Sequence, residues 1–153
     1  MQLFAAISGI ALLAAGVSAQ EAIVNNACNY TLYTQSFPYD GSTPGALETV
    51  APGDAFSETF RPAGSTIKIA ITKTLDTPLF FGYSFSTAPD YVYYEFSTQW
   101  GNPFANAHNI LTAGSGCELF DCAAGDAACY STPSQKKVYG CPQPVNVTAT
   151  LCA

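Results

Sequence analysis

An aromatic segment, residues 91–98, contains three side chains at alternate positions that could bind a ligand together: Tyr91, Tyr93 and Glu95. In a β-strand, residues two apart share one face of the sheet, so these three side chains are predicted to project together. Proteins hold sugars with such sets, because aromatic rings stack on pyranose faces and carboxylates accept hydroxyl hydrogen bonds. A structural interpretation has equal weight, since tyrosine is a favoured strand residue whose hydroxyl tolerates water.

Hydrolysis of a glycan would need more than Glu95. Glycoside cleavage usually uses two carboxylates about 5 to 9.5 Å apart, one as acid and one as base or nucleophile. The sequence places no partner beside Glu95, and Glu118, Asp121 and Asp126 lie in a cysteine-rich segment where acidic residues ordinarily solvate a loop. We therefore predict no catalytic residue and no enzyme, with a weak β-glucan hydrolase using Glu95 as the alternative.

The sequence predicts no metal and no cofactor. The single histidine, His108, lies in an asparagine-rich stretch and is typical of a surface or hydrogen-bonding residue. The chain has no Cys-x-x-Cys pair and no Gly-x-Ser-x-Gly, phosphate-loop or EF-hand motif. The only tryptophan, Trp100, begins a Trp-Gly-Asn-Pro turn, and packing in the core is favoured over a ligand-stacking role.

Six cysteines, an even number, follow the N-terminal segment. In an exported chain such a count predicts a disulfide framework. The count alone leaves 15 pairings open. The six residues are Cys28, Cys117, Cys122, Cys129, Cys141 and Cys152.

Residues 3–17 form an apolar run that ends in Val17-Ser18-Ala19, a small-x-small pattern typical of signal-peptidase sites. We predict a signal peptide over residues 1–19, cleaved after Ala19, and one mature domain over residues 20–153. A membrane anchor is the rival interpretation, but the run is shorter than the ~20 apolar residues of a spanning helix. The mature protein is expected to be secreted and extracellular, either free or associated with the cell wall.

Two sequons, Asn29-Tyr30-Thr31 and Asn146-Val147-Thr148, have the spacing for N-glycosylation and no proline at the middle position. Such tripeptides also arise by chance. Glycosylation at Asn29 and Asn146 nevertheless fits the predicted extracellular location, and both asparagines are predicted to lie on the surface.

The chain is acidic and poor in charge, with 5 Lys and Arg residues against 11 Asp and Glu residues and a formal net charge of −6. Binding to nucleic acid or to an anionic membrane needs a basic patch, so we predict no nucleic-acid partner and no membrane insertion. Lys136-Lys137 is the only basic pair, and a solvated loop is favoured over a dibasic processing site. We expect a monomer.

The elements that must position these residues are β-strands. Short aromatic or β-branched segments recur between turns that contain Gly and Pro, a pattern typical of a β-sandwich or barrel. Alternation over residues 66–73 puts Ile67, Ile69 and Ile71 on one face. Only residues 121–129 are predicted to form a helical turn. Strands are predicted at residues 23–24, 29–36, 56–60, 66–73, 79–86, 91–98, 138–140 and 145–151.

Several of these segments resemble the thaumatin-like proteins. Residues 23–32 (IVNNACNYTL) resemble the first strand pair of that family, and residues 94–97 (YEFS) resemble its Ala-Glu-Phe-Ser strand. Residues 52–57 resemble a turn and strand of the family, and residues 146–152 (NVTATLC) its closing strand. The resemblance covers nearly the whole mature chain but only one domain of the larger members. The chain looks most like the small fungal branch, the yeast-phase-specific (Bys-type) secreted proteins.

The resemblance implies an all-β fold, a single-domain thaumatin-like β-sandwich stapled by three disulfides. Many larger members carry an acidic cleft of one Arg, one Glu and three Asp, linked to β-glucan binding or hydrolysis. Of these residues only the Glu is matched, at Glu95, and the paired Asp positions fall in residues 102–106, where no carboxylate occurs. The implied disulfides are Cys28–Cys152, Cys117–Cys141 and Cys122–Cys129.

For function, the resemblance implies a secreted, non-enzymatic protein that acts at the fungal cell surface or at the host interface. Its expected partner is a cell-wall glycan or a surface protein of a host or microbe. Besides the hydrolase named above, an antimicrobial or antifungal protein is a third hypothesis. The acidic charge argues against simple membrane disruption, which cationic character usually drives.

Overall fold

A computed structural model describes residues 20–153, and the predicted signal peptide, residues 1–19, lies outside them. The described chain forms eleven strands and one short 3-10 turn, Ala127–Cys129. The strands are β1 (Glu21–Asn26), β2 (Leu32–Pro38), β3 (Glu48–Val50), β4 (Ala55–Thr59), β5 (Ser65–Ala70), β6 (Leu79–Thr87), β7 (Asp90–Ser97), β8 (Asn109–Thr112), β9 (Phe120–Cys122), β10 (Tyr139–Pro142) and β11 (Val147–Leu151).

The strands form two sheets, which confirms the predicted all-β sandwich. One sheet has five strands in the order β4-β1-β11-β8-β9, and the other has six in the order β10-β7-β6-β5-β2-β3. Neighbouring strands are antiparallel, except that β1 runs parallel to β11. β6 and β7 form a hairpin in which Thr87 pairs with Asp90.

The core consists of the inward side chains of both sheets. Buried and half-buried residues alternate along β1, β11 and most of β7, as expected for strands with one face in the core. Phe81 and Phe96 on neighbouring strands meet edge to face, and Phe96 also contacts Phe120 of the other sheet. Each buried side chain of this size contributes about 1.5–3 kcal/mol by leaving water, so the core and the disulfides stabilise the sandwich together.

Three short strands, β3, β8 and β9, are absent from the sequence prediction because segments of three or four residues show too little alternation to detect. Within residues 121–129, where one helical turn is predicted, the chain instead completes β9 and then forms the 3-10 turn. Ile71 does not share the face of Ile67 and Ile69. β5 ends at Ala70, the chain bends, and Ile71 is 48% exposed.

Lys137 is anchored, which refines the prediction of a solvated loop for the basic pair. Its ammonium group donates hydrogen bonds of 2.8 Å to the backbone carbonyls of Ala128 and Cys129, at the end of the 3-10 turn. Cations are favoured beside carbonyls that have no other partner at the end of a helical turn. The lysine therefore ties the loop before β10 to the short turn.

The three disulfides that the resemblance implies, Cys28–Cys152, Cys117–Cys141 and Cys122–Cys129, are all present. The first follows directly on the ends of β1 and β11 and joins residues 124 positions apart. Two buried asparagines hold it. Asn26 accepts the backbone N–H of Cys28 at 3.0 Å, and Asn109 accepts that of Cys152 at 3.2 Å. The amide groups of both asparagines donate to backbone carbonyls of neighbouring segments, so no buried donor is left unpaired there.

A carboxylate also links the two sheets. Glu58 on β4 of the five-stranded sheet accepts hydrogen bonds of 2.8 Å from Ser36 and from the Tyr83 hydroxyl, both on the six-stranded sheet. Arg61 completes the set with a 3.0 Å ion pair to the second carboxylate oxygen. The Glu58 side chain is only 11% exposed. Burial, with the Glu58 charge beside it, raises the pKa of Tyr83, so the phenol stays a donor at neutral pH.

Removing this carboxylate should destabilise the sandwich. Glu58→Ala leaves the buried hydroxyl donors and Arg61 without an acceptor, and we expect a loss of about 2–3 kcal/mol in the free energy of unfolding. Denaturant unfolding measures it. Glu48→Ala, at an exposed position of β3, is the matched control and should change the value by less than ~0.5 kcal/mol. Equal effects of the two variants would show that the link contributes nothing.

The terminal disulfide should stabilise the protein more than the short one. In the chain-entropy account a bridge stabilises more when it closes a longer loop. The Cys28→Ser/Cys152→Ser variant should lose about 5 kcal/mol, and Cys122→Ser/Cys129→Ser, whose residues are 7 positions apart, about 2 kcal/mol. Urea unfolding of both variants under oxidising conditions tests this ranking, and the reverse order would contradict it.

Candidate ligand-binding face

β7 lies between β6 and β10, so its outward side chains have neighbours on both sides. Tyr91, Tyr93 and Glu95 all project outward, on the face opposite the buried Val92 and Tyr94. We call this surface of the six-stranded sheet the outer face. The structure thus brings the three predicted residues together, but they are half-buried rather than open to solvent.

The two tyrosine rings are half-buried because they lie against Gly140. Gly140 on β10 pairs with Tyr93, and a Cβ added there would lie only 3.0 Å from the Tyr93 ring and 3.3 Å from the Tyr91 ring. The rings also stack on each other, with centroids 6.1 Å apart and planes 27° apart. Aromatic surface of this kind suits a sugar ring, and the pair also covers a strand glycine, which is a structural role.

A second glycine makes the corresponding room on the other side of β7. Gly82 on β6 pairs with Glu95, and a Cβ there would lie 2.9 Å from the Tyr39 hydroxyl and 3.4 Å from Glu95 Oε1. The Tyr39 hydroxyl accepts a 3.1 Å hydrogen bond from Thr66, which leaves its own proton to donate. Burial raises the pKa of Tyr39, and the negative charge of Glu95 raises it further. The hydrogen bond from Thr66 lowers it, but the net shift is upward.

Glu95 sits in a shallow depression of about 80 Å³ and is the only carboxylate among its lining residues. The other acidic candidates lie elsewhere. Asp121 is on β9 of the opposite sheet and pairs with His108 at 2.5 Å. Asp126 caps the 3-10 turn by accepting the backbone N–H of Ala128. The backbone carbonyl of Glu118 accepts the hydroxyl of Tyr94, on the inner face of β7. The structure therefore gives Glu95 no second carboxylate in its depression.

A larger groove of about 710 Å³ adjoins this depression, and Tyr39 lines both. This volume is in the usual range of sites for small ligands. The sequence analysis missed the groove because its walls come from the end of β2, from β5 and from the loop before β6. We call it the Trp100 groove; its lining includes Phe37, Tyr39, Lys68, Asp76, Phe80 and Trp100.

Trp100 is 61% exposed, so the prediction that it packs in the core is wrong. It lies in a turn beyond β7, where the Gly101 N–H donates to the Thr98 carbonyl. Gly101 has φ of +141°, and a Cβ on it would lie 2.5 Å from the Thr77 carbonyl oxygen. The turn thus packs its backbone on the loop before β6, and the indole lines the groove. The signal for this was present: the tryptophan follows the last residue of the alternating pattern and precedes Gly-Asn-Pro.

Lys68 carries the positive charge of the groove. Its ammonium group lies 4.2 Å from the centroid of the Phe37 ring and 5.7 Å from that of Phe80. Such cation–π contacts hold the cation in place and contribute about 0.5–1 kcal/mol at exposed sites. The salt bridges found within residues 20–153 do not include Lys68, so its N–H donors are not taken by a carboxylate.

Four further features of the described chain concern metal ligands, membrane-spanning helices, His108 and the two sequons. Within residues 20–153, no three His, Cys, Asp or Glu side chains converge as metal ligands. In the same range, no helix has the length and apolar character to cross a membrane. His108, bonded to Asp121, is the hydrogen-bonding surface residue that was predicted. Asn29 and Asn146 of the two sequons are both exposed.

The solved structures similar to this one include an elicitor and an enzyme inhibitor. The protein elicitor MoHrip2 from Magnaporthe oryzae is 61% identical, with a TM-score of 0.86 over 88% of this chain and 100% of that one. The thaumatin-like xylanase inhibitor TLXI is 12% identical, with a TM-score of 0.59 over 86% of this chain and 99% of that one. The second likeness confirms the thaumatin-like fold and carries nothing on function.

The family assignment comes from the sequence of the whole domain. No curated protein matches the chain. A family model described as Bys1, Blastomyces yeast-phase-specific protein, matches residues 9–153. That match covers nearly the full sequence and agrees with the fold and the three disulfides. The chain therefore belongs to the Bys1 family of fungal thaumatin-like proteins.

Proposed function

We propose that the protein is secreted and non-enzymatic, and that it acts at the fungal cell surface or at the host interface by binding a glycan on its outer face. The observation that carries the proposal is the stacked pair of Tyr91 and Tyr93 on the same face as Glu95. Rings offer apolar stacking to the C–H face of a sugar, and the carboxylate offers acceptors to its hydroxyls. Sites for small ligands generally combine such apolar surface with few polar groups.

The relative named an elicitor supports a role at the host interface. MoHrip2 is 61% identical and its structure covers 88% of this chain, so the two proteins share the same domain. An elicitor is a protein that a host perceives. The proposed glycan contact would hold this protein at a cell surface, in keeping with a role at the host interface.

The lone Glu95 supports binding over hydrolysis. A retaining or inverting glycosidase needs a second carboxylate at about 5 to 9.5 Å, and none lines the Glu95 depression. A single carboxylate still accepts sugar hydroxyls. The salt bridges within residues 20–153 do not include Glu95, and its side chain lines an open depression, so its carboxylate oxygens are available to a ligand.

Secretion is supported by the covalent framework. All six cysteines are paired, and structural disulfides form and persist in oxidising compartments. The proposed glycosylation sites, Asn29 and Asn146, line neither the Glu95 depression nor the Trp100 groove. Attached glycans would therefore leave the outer face open.

Retention on insoluble polysaccharide tests the binding. The protein should co-sediment with insoluble β-1,3-glucan or with chitin, and Tyr93→Ala should weaken this about tenfold, equivalent to ~1.4 kcal/mol. Tyr93→Phe keeps the ring and should bind nearly as well. Tyr30→Ala, at a tyrosine 40% exposed outside this face, is the matched control and should leave binding unchanged.

Two results would count against this proposal. Retention on neither polysaccharide would rule out the tested glycans as ligands and favour a protein partner. Equal loss in Tyr93→Ala and Tyr30→Ala would show that the outer face is not the site. Thermal unfolding of each variant separates lost contacts from lost folding.

Glu95→Gln separates a binding protein from a hydrolase. We expect the wild-type protein to release no reducing sugar from laminarin, and Glu95→Gln to weaken retention severalfold, because a neutral amide is a poorer acceptor than a carboxylate. The measurements are a reducing-sugar assay and the co-sedimentation assay. Sugar release that disappears in Glu95→Gln would establish the hydrolase instead.

A further inference from the structure

We propose that the Trp100 groove is a second sugar subsite, continuous with the outer-face tyrosines through Tyr39, and that the ligand is an extended neutral oligosaccharide spanning both. This inference rests on the proposed function and adds to it the length and the charge of the ligand. It also gives roles to residues that the sequence analysis did not place in any site.

The groove has the mixture of groups that a sugar requires. Phe37, Phe80 and Trp100 supply apolar ring surface, and the indole is exposed on a turn whose backbone is packed in place. Lys68 supplies N–H donors and Asp76 supplies acceptors on the same lining. A sugar presents C–H faces and a rim of hydroxyls that both donate and accept, so rings, a cation and a carboxylate suit it together.

One wall of the groove is held in a costly conformation. Leu75 and Thr77 have φ of 54° and 47°, in the left-handed region that favours glycine, and both line the groove. Of residues 20–153, Cys152 is the only other non-glycine with positive φ. Residues in this conformation are strained and cluster at ligand sites, where the surrounding fold holds them. A wall fixed in advance lowers the ordering cost of binding.

The two subsites lie next to each other on one sheet. Across the strands, Glu95 pairs with Gly82, and Gly82 pairs with Thr66. Two residues farther along the same strands, Phe80 pairs with Lys68. Tyr91 lies four residues from Glu95 along β7 in the other direction, a distance of about 13 Å at ~3.3 Å per residue. A single sugar ring cannot contact both ends of this track. A ligand that uses Tyr91 and Trp100 together must therefore contain several linked sugars.

The charges on the track favour a neutral chain. Asp76 and Glu95 place two carboxylates on it, against the one ammonium group of Lys68. The whole chain carries a net charge of −6, which adds to the repulsion of anions. A polyuronate would place a carboxylate on every sugar and meet this negative surface along its length. A neutral glycan meets donors and acceptors without that repulsion.

Trp100 is the only tryptophan, so its fluorescence reports on this subsite alone. The protein should be titrated with laminarihexaose, cellohexaose and chitohexaose, with the corresponding disaccharides, and with hexagalacturonate. We expect at least one neutral hexamer to shift the emission to shorter wavelength and to bind at least tenfold more tightly than its disaccharide. Hexagalacturonate should produce no shift.

Variants then connect the signal to the two subsites. By calorimetry, Trp100→Ala should weaken binding of that hexamer about tenfold, and Trp100→Phe should restore most of it. Leu119→Ala, at an apolar residue 43% exposed outside the track, is the matched control and should have no effect. Tyr93→Ala should also weaken the hexamer while leaving the Trp100 emission of the free protein unchanged.

The outcomes separate this inference from the proposed function. Binding that depends on Tyr93 but not on Trp100, or a hexamer no tighter than its disaccharide, would overturn the second subsite and leave the proposed function standing. Tighter binding of hexagalacturonate than of every neutral hexamer would overturn the neutral ligand. Failure of all oligosaccharides to bind, together with no retention on insoluble glucan or chitin, would overturn both.

Discussion

The parallel pairing of β1 with β11 is the constraint on which the rest of the structure depends. These strands form the middle of the five-stranded sheet, so β4 attaches on one side of the pair and β8 and β9 on the other. The Cys28–Cys152 bridge fastens the pair just beyond its end, and Asn26 and Asn109 bind the backbone of both half-cystines. Because β4 also carries Glu58, the position of this pair fixes the polar link to the second sheet.

The six-stranded sheet carries the candidate ligand-binding surface on its outer face. Two glycines, one on each side of β7, shape this face. Gly140 leaves room for the rings of Tyr91 and Tyr93, and Gly82 leaves room for Tyr39 beside Glu95. The same feature thus appears twice, and the packing of the candidate ligand face depends on the absence of a side chain at both glycines. This explains why three residues expected to stand in solvent are half-buried.

Alternation along the chain was enough to predict the sandwich, and to place Tyr91, Tyr93 and Glu95 on one face, because period two is a local property of a strand. The disulfide pairs came from family resemblance, since spacing alone leaves 15 open. The Trp100 groove could not be predicted as a whole. Gly-Asn-Pro after Trp100 indicates a turn, but the contact of Gly101 with Thr77 that fixes this turn depends on tertiary packing. The strands β3, β8 and β9 were too short to show a period of two. Ile71 continues the alternation of β5 in the sequence, but the strand has already ended at Ala70 and Ile71 is exposed.

The parallel pair also sets the order in which the molecule can be assembled. The partner of β1 is the last of the eleven strands to be synthesised, so a nascent chain holds an incomplete sheet until nearly all of it has emerged. During that time Cys28 has no correct partner, while the cysteines between are already able to react with it. Contacts so distant in sequence also make folding slow. Folding of this protein therefore calls for disulfide isomerisation after synthesis, and its yield should depend on the isomerase capacity of the compartment in which it folds more than on the stability of the finished fold.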